Sequence, residues 1–379
     1  MPETDLMPEP SLTVPEALTG SGKPLSVTRL RKTYSGVTAV DEVSMEIAAG
    51  EFVTFLGSSG SGKTTTLMMI AGFCEPDSGS VVVGGRDVTR LAPQKRGLGF
   101  VFQQYLLFPH MTVWENVAFP LQLRGVPKAE LRRRVGETLE MAGLSSMTRR
   151  RPRELSGGQQ QRVALCRALV YRPPVILMDE PLGALDKKLR DQLQTEIKRI
   201  QQELGLTVIY VTHDQEEALV LSDRIAVMRD GRIDQFDTPQ ELFERPRTPF
   251  VADFLGAANF LPGHVEEQTA EHTLVRLDSG GLLTARPQAA QDGTRVRAAV
   301  QPGRLALCPP GDGFCTGTVE TVTYVGTLVR ATVRPVGGAH SELVRLELPA
   351  GRAPALGERV GLSAEPGNVS VFPDAENGG

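Results

Sequence analysis

The chain has 379 residues, 40% of them hydrophobic, which is enough for two or three domains with substantial cores. Its formal net charge of -4 argues against nucleic acid as a constant partner, because phosphate-backbone binding normally accompanies a basic surplus. The four cysteines are scattered without C-x-x-C spacing, so neither a disulfide framework nor a zinc knuckle is indicated, and a reducing compartment fits best. No stretch of about 18 apolar residues occurs, so we expect no membrane-spanning helix.

The N-terminal segment, residues 1–24, is acidic and contains prolines, without the basic start and apolar core of a secretory signal. We predict a disordered tail there. Residues 25–34 form a β-rich run that ends in Tyr34, before Ser35 and Gly36. An exposed aromatic ring in this setting can stack on adenine, although a half-buried tyrosine at a strand end is the commoner arrangement.

The pattern G-x-x-x-x-G-K-T spans residues 57–64, between an apolar run and a helical pattern, as in a phosphate-binding loop. Glycines let backbone N–H groups approach a triphosphate, Lys63 adds charge, and Thr64 offers a hydroxyl to Mg²⁺. A helix that begins here turns its positive end towards the same phosphates. The residues predicted to bind the nucleotide are Gly57, Ser58, Ser59, Gly60, Ser61, Gly62, Lys63, Thr64 and Thr65.

Gln103 ends a predicted strand at residues 98–102. An amide there can ligate Mg²⁺ or hold the attacking water, although a lone glutamine is more often a capping residue. Residues 112–153 have a helical pattern that begins with a capping box of Thr112 and Glu115. The arginines of this region are more typical of a solvated helix face than of a lipid or partner surface.

A second glycine-rich stretch precedes a helical pattern and contains Ser156, Gly157, Gly158 and Gln159. Small residues and a serine at a helix start can cradle a phosphate, although one triphosphate does not obviously need two cradles.

The continuous apolar run at residues 175–178 predicts a strand of a parallel sheet that is buried on both faces. It ends in Asp179 and Glu180, where one carboxylate can attend to Mg²⁺ and the other to a water. Burying both without a cation would be costly. His213 follows the strand predicted at residues 207–211 and is a candidate phosphate sensor, although taken alone it is an ordinary histidine.

These motifs occur in an order and spacing that resemble the ATPase subunit of an ATP-binding cassette (ABC) transporter, over about residues 25–256. The most specific element is Leu-Ser-Gly-Gly-Gln at residues 155–159. The resemblance implies an α/β fold, the P-loop NTPase cassette, with a helical subdomain at about residues 104–160. It also implies ATP and Mg²⁺ as ligands.

The same resemblance implies individual roles. Tyr34 would stack on adenine, Thr64 and Gln103 would approach Mg²⁺, and Asp179 would orient the metal shell. Glu180 resembles the family's general base, which activates the attacking water. His213 resembles the residue that contacts the γ-phosphate, and Gln103 would act beside them. Residues 181–186 would join two copies of the subunit. Ser156 and Gly158 would then serve the ATP held by the other copy, in a head-to-tail homodimer.

From residue 257 onward, short alternating runs broken by glycine and proline predict an all-β, OB-like module that occupies residues 257–379 with a short C-terminal tail. It resembles the transport-associated OB domain that follows the cassette in importers. OB-like domains can also bind nucleic acid, but this stretch has few aromatic residues and no basic-aromatic interleaving.

Residues 72–79, 108–113 and 185–190 are most similar to spermidine/putrescine import ATPases, with ferric-iron and sugar importers as alternatives. The resemblance implies a peripheral protein on the cytoplasmic face of the inner membrane. Its partners would be integral permease subunits and, indirectly, an extracytoplasmic solute-binding protein. A soluble cassette ATPase of repair or translation is disfavoured by the single phosphate loop and the lack of a sustained heptad run. A regulatory protein whose β-module senses a ligand is a third interpretation.

Overall fold

The computed structural model describes residues 22–183, 185–287, 291–336 and 343–374. The chain divides into two compact units, Met1–Pro239 and Gln240–Gly379. The predicted tail covers residues 1–24, and its residues 1–21 lie outside the described residues.

The first unit alternates strands and helices along the chain. Its strands are β1 (Leu25–Tyr34), β2 (Val37–Ile47), β3 (Phe52–Leu56), β4 (Ser78–Val83), β5 (Arg86–Asp87), β6 (Gly99–Val101), β7 (Val175–Asp179), β8 (Thr207–Thr212), β9 (Arg224–Arg229) and β10 (Arg232–Asp237). Its helices are α1 (Lys63–Ala71), α2 (Pro93–Arg96), α3 (Val113–Leu123), α4 (Lys128–Met141), α5 (Gly157–Leu169), α6 (Lys187–Leu204) and α7 (Gln215–Leu221).

The central sheet has the strand order β10-β9-β3-β8-β7-β6 among the described residues. Strands β6, β7, β8, β3 and β9 are parallel, and β10 closes one edge as an antiparallel hairpin partner of β9. Every residue of β3, β7 and β8 is buried, as expected for parallel strands covered on both faces. Their carboxyl ends meet at one edge, which is where ligands bind in α/β sheets.

Helix α1 is packed between the central sheet and a smaller antiparallel sheet of order β2-β1-β4-β5. Leu67 and Ile70 of α1 share a core with Phe55 of β3 and Leu30 of β1. A separate core joins α3, α4 and α5 through residues such as Val117. Helix α5 also contributes to the core beneath the central sheet, so it connects the helical region to that sheet.

The predicted capping box at the start of α3 is confirmed. Thr112 Oγ1 accepts from the Glu115 N–H at 3.2 Å, and Glu115 Oε2 accepts from the Thr112 N–H at 2.7 Å. Two donors at the helix start are satisfied in this way.

The second unit begins within α8 and is otherwise mostly β-structure, which confirms the predicted all-β, OB-like module. Its elements are α8 (Pro239–Glu244), α9 (Pro249–Gly256), β11 (Asn259–Gln268), β12 (Thr273–Leu277), β13 (Leu282–Ala285), β14 (Arg295–Val300), β15 (Leu305–Cys308), β16 (Cys315–Val325), β17 (Leu328–Pro335), β18 (Val344–Pro349), β19 (Arg359–Ala364) and β20 (Val369–Pro373). Two sheets, β13-β12-β11-β14-β20 and β15-β19-β16-β17-β18, share one apolar core.

The division between the units falls after Pro239, whereas the sequence analysis placed the end of the cassette at Gly256. Helices α8 and α9 therefore belong with the β-structure. Ala252 of α9 packs in a small cluster with Ala258, Ala299 and Phe372 of the β-unit, which is the physical reason for the difference. Within the described ranges, no helix is both long and apolar enough to cross a membrane.

Candidate nucleotide site

The segment between β3 and α1 folds into a tight loop because its glycines take conformations that other residues resist. Gly62 caps α1 with a φ of 97°, and a Cβ there would lie 2.6 Å from the Ala39 carbonyl oxygen. A Cβ on Gly57 would lie 2.4 Å from the Met228 carbonyl oxygen. Both positions exclude any other residue without a backbone shift. The loop is thereby held against β2 and the end of β9.

Lys63 is folded back into this loop. Its ammonium donates hydrogen bonds of 2.8 Å to the carbonyl oxygens of Gly57 and Ser58, and the residue is 5% exposed. Burial lowers the pKa of Lys63 from its ordinary value, while the charges of Glu180 and Asp179 act to raise it. The Ser61 hydroxyl is buried and has no hydrogen-bond partner in the described part of the chain. A poorly compensated cation and an unused hydroxyl fit an anionic oxygen ligand.

Thr64 and Asp179 connect the loop to the end of β7. Thr64 Oγ1 donates to Asp179 Oδ1 at 3.1 Å. Burial raises the pKa of the Asp179 carboxyl, whereas the Thr64 hydrogen bond and the Lys63 charge act to lower it. A hydroxyl and a carboxylate are hard oxygen donors, and a cation would offset the cost of burying this carboxylate. The pair therefore fits Mg²⁺.

Two further side chains meet at Glu180, the residue after β7. Gln103 Nε2 donates to Glu180 Oε2 at 3.3 Å, and His213 Nδ1 lies 3.2 Å from Glu180 Oε1. Glu180 has a φ of 41°, in the left-handed region, and its N–H donates to the Val211 carbonyl oxygen of β8. Such backbone strain is concentrated at functional sites. The arrangement gathers an acid, an amide and an imidazole at one sheet edge.

An open cavity of about 690 Å³ lies over the loop, in the size range of small-molecule sites. It is lined by Ala39, Ser58, Ser59, Gly60, Ser61, Gly62, Lys63, Thr64, Thr65, Glu180 and His213. Gln103 and Asp179 adjoin this set through their hydrogen bonds to Glu180 and Thr64. The structure thus brings together the loop, both carboxylates, Gln103 and His213.

Tyr34 does not line the cavity. It lies at the end of β1 with 48% of its surface exposed, and its hydroxyl is 3.0 Å from Cys74 Sγ. Lys32 Nζ lies 5.5 Å from the centre of the ring. The Tyr34 ring therefore has a free surface beside a cation.

The second glycine-rich stretch is also outside the cavity lining. Ser156 is the N-cap of α5, its hydroxyl accepts from the Gln159 N–H at 3.4 Å, and Gln159 Oε1 accepts from the Ser156 N–H at 3.0 Å. Ser156 and Gly157 are exposed, while Gly158 packs so closely on Leu189 that a Cβ would lie 2.9 Å from it. One chain therefore does not bring these residues to its own phosphate loop.

Sequence reasoning missed two backbone contributions to the site. Ala39 of β2 lines the cavity, and the Gly231 N–H donates to the Ser61 carbonyl oxygen at 3.2 Å. The Asp230-Gly231 pair predicts the hairpin between β9 and β10, but not that the hairpin supports the loop. The side chain of Ala39 has no polar group that would mark the residue as part of a binding site. Both contributions depend on contacts between residues far apart in the chain.

The fold and this site define a phosphate-loop ATPase. The ABC transporter family matches residues 40–183, and the TOBE domain family matches residues 298–372. The spermidine/putrescine import ATP-binding protein of Rubrobacter xylanophilus is 51% identical over 326 residues, covering 84% of this chain and 86% of that protein. The protein of the same name from Thermobifida fusca is 49% identical over 362 residues, covering 92% and 93%.

An Fe(3+) ions import ATP-binding protein from Agrobacterium fabrum is 47% identical over 308 residues, covering 80% of this chain and 86% of that protein. Among solved structures, the ATP-binding cassette MJ0796, in a dimeric post-hydrolysis state with ADP and Pi, is 36% identical with a TM-score of 0.51. The match covers 57% of this chain and 98% of the MJ0796 chain. This chain belongs to the ABC transporter family, as an ATP-binding ATPase subunit with a C-terminal TOBE domain. The fold class and family predicted from the sequence are confirmed.

Replacing Lys63 with alanine should weaken ATP binding by at least about 100-fold, because the loop loses the charge that meets the phosphates. Isothermal calorimetry on the full chain measures this directly. Lys95→Ala is the matched control, since Lys95 is an exposed lysine on the short helix α2. Equal ATP affinity in the Lys63 and Lys95 variants would show that the loop does not hold the phosphates.

Proposed function

We propose that this chain is the ATP-hydrolysing subunit of a polyamine importer, working as a head-to-tail dimer on a separate membrane permease. The observation that carries the hydrolytic part is the meeting of Gln103 and His213 at the carboxylate of Glu180, beside the phosphate-loop cavity. The transport part is supported by the importer names of the relatives.

Glu180 is proposed as the general base. A base must present an oxygen within hydrogen-bond reach of the water whose proton it takes. Gln103 and His213 contact different oxygens of the Glu180 carboxylate, so together they fix its plane. Because the side chain of His213 is 62% exposed, its ring has a free side that can reach the γ-phosphate.

Mg²⁺ would be held by the Thr64 hydroxyl and the Asp179 carboxylate, with Gln103 near them. When bound, the ion neutralises charge on the phosphates. Lys63 would exchange the two loop carbonyl oxygens that now accept from its ammonium for phosphate oxygens. The Tyr34 ring would stack on adenine through its exposed face.

Completion of the site requires a second copy of the chain. The exposed start of α5 carries helix N–H groups and the Ser156 hydroxyl, but one chain keeps them away from its own cavity lining. Such an end attracts phosphate. In a head-to-tail dimer, Ser156, Gly157, Gly158 and Gln159 of each copy would cover the ATP of the other. A solved structure of MJ0796, at 37% identity, is dimeric, which supports association of two copies.

The solute is assigned to the polyamines because relatives named as spermidine/putrescine import proteins match 84% and 92% of this chain. Ferric iron is the second candidate, favoured by the relative from Agrobacterium fabrum. In either case the chain would lie at the cytoplasmic face of the inner membrane. An extracytoplasmic binding protein would deliver the solute to the permease.

An apolar groove beside the helical region is the proposed docking place for a helical segment of the permease. The groove has a volume of about 450 Å³. Its aromatic lining residues are Phe100, Phe102, Phe108, Phe119 and Tyr171. At its edge, Leu123 is 71% exposed and Leu106 is 52% exposed. Exposed apolar surface of this kind marks a partner site, and an amphipathic helix suits a groove.

Replacing Glu180 with glutamine should reduce hydrolysis by about 10² to 10⁴, because the amide keeps its size but cannot accept the proton. ATP binding should survive, since Lys63 and Thr64 are untouched. ATP should then stabilise a dimer that size-exclusion chromatography detects, because a ligand bound only by the dimer shifts the equilibrium towards it. Near-normal hydrolysis would move the base to Asp179 or His213.

Spermidine or putrescine, delivered by the cognate binding protein, should stimulate ATP hydrolysis by the transporter reconstituted with its permease. Coupled transport requires solute binding on one side to alter the ATP site on the other. Stimulation by ferric iron or a sugar, with no response to polyamines, would contradict the polyamine assignment and leave the ATPase role intact.

Leu123→Arg should abolish this stimulation while basal hydrolysis by the isolated chain stays within about 2-fold of wild type, as expected for a surface substitution. The charge would enter the proposed docking groove without touching the ATP site. Leu356→Arg is the matched control, because Leu356 is 72% exposed but lies in the second unit. If both arginine variants couple normally, the permease does not use this groove.

A further inference from the structure

Arg190, in the first turn of α6, holds together two segments that flank the ATP site. Its Nη1 donates to Asp214 Oδ2 at 3.1 Å, and its Nη2 donates to the Leu185 carbonyl oxygen at 3.1 Å. Asp214 directly follows His213, and Leu185 lies in the segment 181–186 that follows Glu180. One planar guanidinium therefore spans both segments.

The other carboxylate oxygen of Asp214 and its backbone N–H also make hydrogen bonds. Asp214 is the N-cap of α7, and its Oδ1 accepts from the N–H groups of Glu216 and Glu217. The Asp214 N–H donates to Thr212 Oγ1 at 3.0 Å. His213 thus lies between two residues held by hydrogen bonds, and Arg190 provides a hydrogen bond that connects this turn to α6.

A buried carboxylate completes the arrangement. Glu217 is 2% exposed and accepts from the hydroxyls of Tyr210 at 2.8 Å and Thr212 at 2.7 Å. Arg190 Nε lies 3.6 Å from Glu217 Oε1, close enough for charge attraction but not for a hydrogen bond. A guanidinium can serve these separate acceptors at once because its donors form a rigid fork, which a lysine ammonium lacks.

We propose that Arg190 is a positioning residue. Through its two hydrogen bonds, the location of residues 181–186 determines the orientation of the His213 imidazole. This inference rests on the proposed dimer and on the expectation from the sequence that residues 181–186 join the two copies. When dimer contact moves the Leu185 carbonyl, the guanidinium moves with it and shifts Asp214 and its neighbour His213. Arg190 itself touches no reacting atom. It couples closure of the dimer to the alignment of the imidazole.

Steady-state hydrolysis by the full chain tests this for Arg190→Ala, Arg190→Lys, Asp214→Asn and the double variant Arg190→Ala/Asp214→Asn. We expect kcat to fall about 10- to 100-fold in each single variant, as for a misplaced catalytic group, with KM for ATP within about 2-fold. The double variant should be no slower than the slower single variant, because both changes break the same connection. A lysine at this position keeps the charge but cannot make both bonds, so Arg190→Lys should also lose kcat.

Lys198→Ala is the matched control. Lys198 is on the same helix, and its ammonium pairs with Asp223 at 2.9 Å, so it also connects α6 to the end of α7 but far from Leu185. Its side chain is 21% exposed, compared with 26% for Arg190. We expect wild-type kcat from this variant. Thermal unfolding of all variants shows whether each is folded.

Wild-type kcat in Arg190→Lys, or equal losses of kcat in Arg190→Ala and Lys198→Ala, would overturn the inference. If Arg190→Ala does not fold, Arg190→Lys and Asp214→Asn decide the matter by the same criterion. If Glu180→Gln loses hydrolysis while the Arg190 variants keep it, the Arg190 inference is wrong and the proposed function still stands. Normal hydrolysis by Glu180→Gln would instead remove the proposed function on which it rests.

Discussion

The hydrogen bond from Thr64 to Asp179 is the contact around which the site is arranged. It joins the first turn of α1 to Asp179 at the end of β7 across 3.1 Å, and so fixes the phosphate loop relative to Glu180, the next residue. The parallel order of β3, β8 and β7 makes this contact possible, because all three strands end at the same edge. A shift of either element would separate the loop from both carboxylates.

Charge balance within the loop explains why the site suits a nucleotide with a metal. Lys63 and Asp179 are both buried. Burial lowers the pKa of Lys63 and raises the pKa of Asp179, so it favours the neutral form of each side chain. Each charge is therefore only partly compensated by the protein. Triphosphate oxygens would offset the lysine, and a divalent cation would offset the aspartate. The protein thus keeps its energetically costly charges where such a ligand would neutralise them.

Much of the site could be predicted from the sequence because its chemistry lies in short local patterns. The phosphate loop must contain Gly57 and Gly62, since their backbones contact Met228 and Ala39 too closely for a side chain. The carboxylates of Asp179 and Glu180 follow from a buried apolar run that ends in acidic residues. Patterns of this kind reflect local geometry, which sequence spacing reports.

The remaining features depend on contacts between distant residues, which spacing does not report. The sequence analysis placed the residues of helix α9 in the cassette, whereas Ala252 of that helix packs with Phe372 of the second unit. The bond from Gly231 to Ser61 and the two bonds of Arg190 are of the same kind. Arginine in an amphipathic helix is ordinarily solvent-facing, so its pattern gave no sign of a link to Asp214.

We propose that one chain holds an incomplete site and that the start of α5 from a second copy completes it. The most direct test is the rate of ATP hydrolysis per chain as a function of protein concentration, with the association state followed by analytical ultracentrifugation. The dimeric site predicts that the rate per chain falls towards zero as the chain becomes monomeric and rises steeply where dimers form. A constant rate per chain, maintained at concentrations where only monomer sediments, would contradict it.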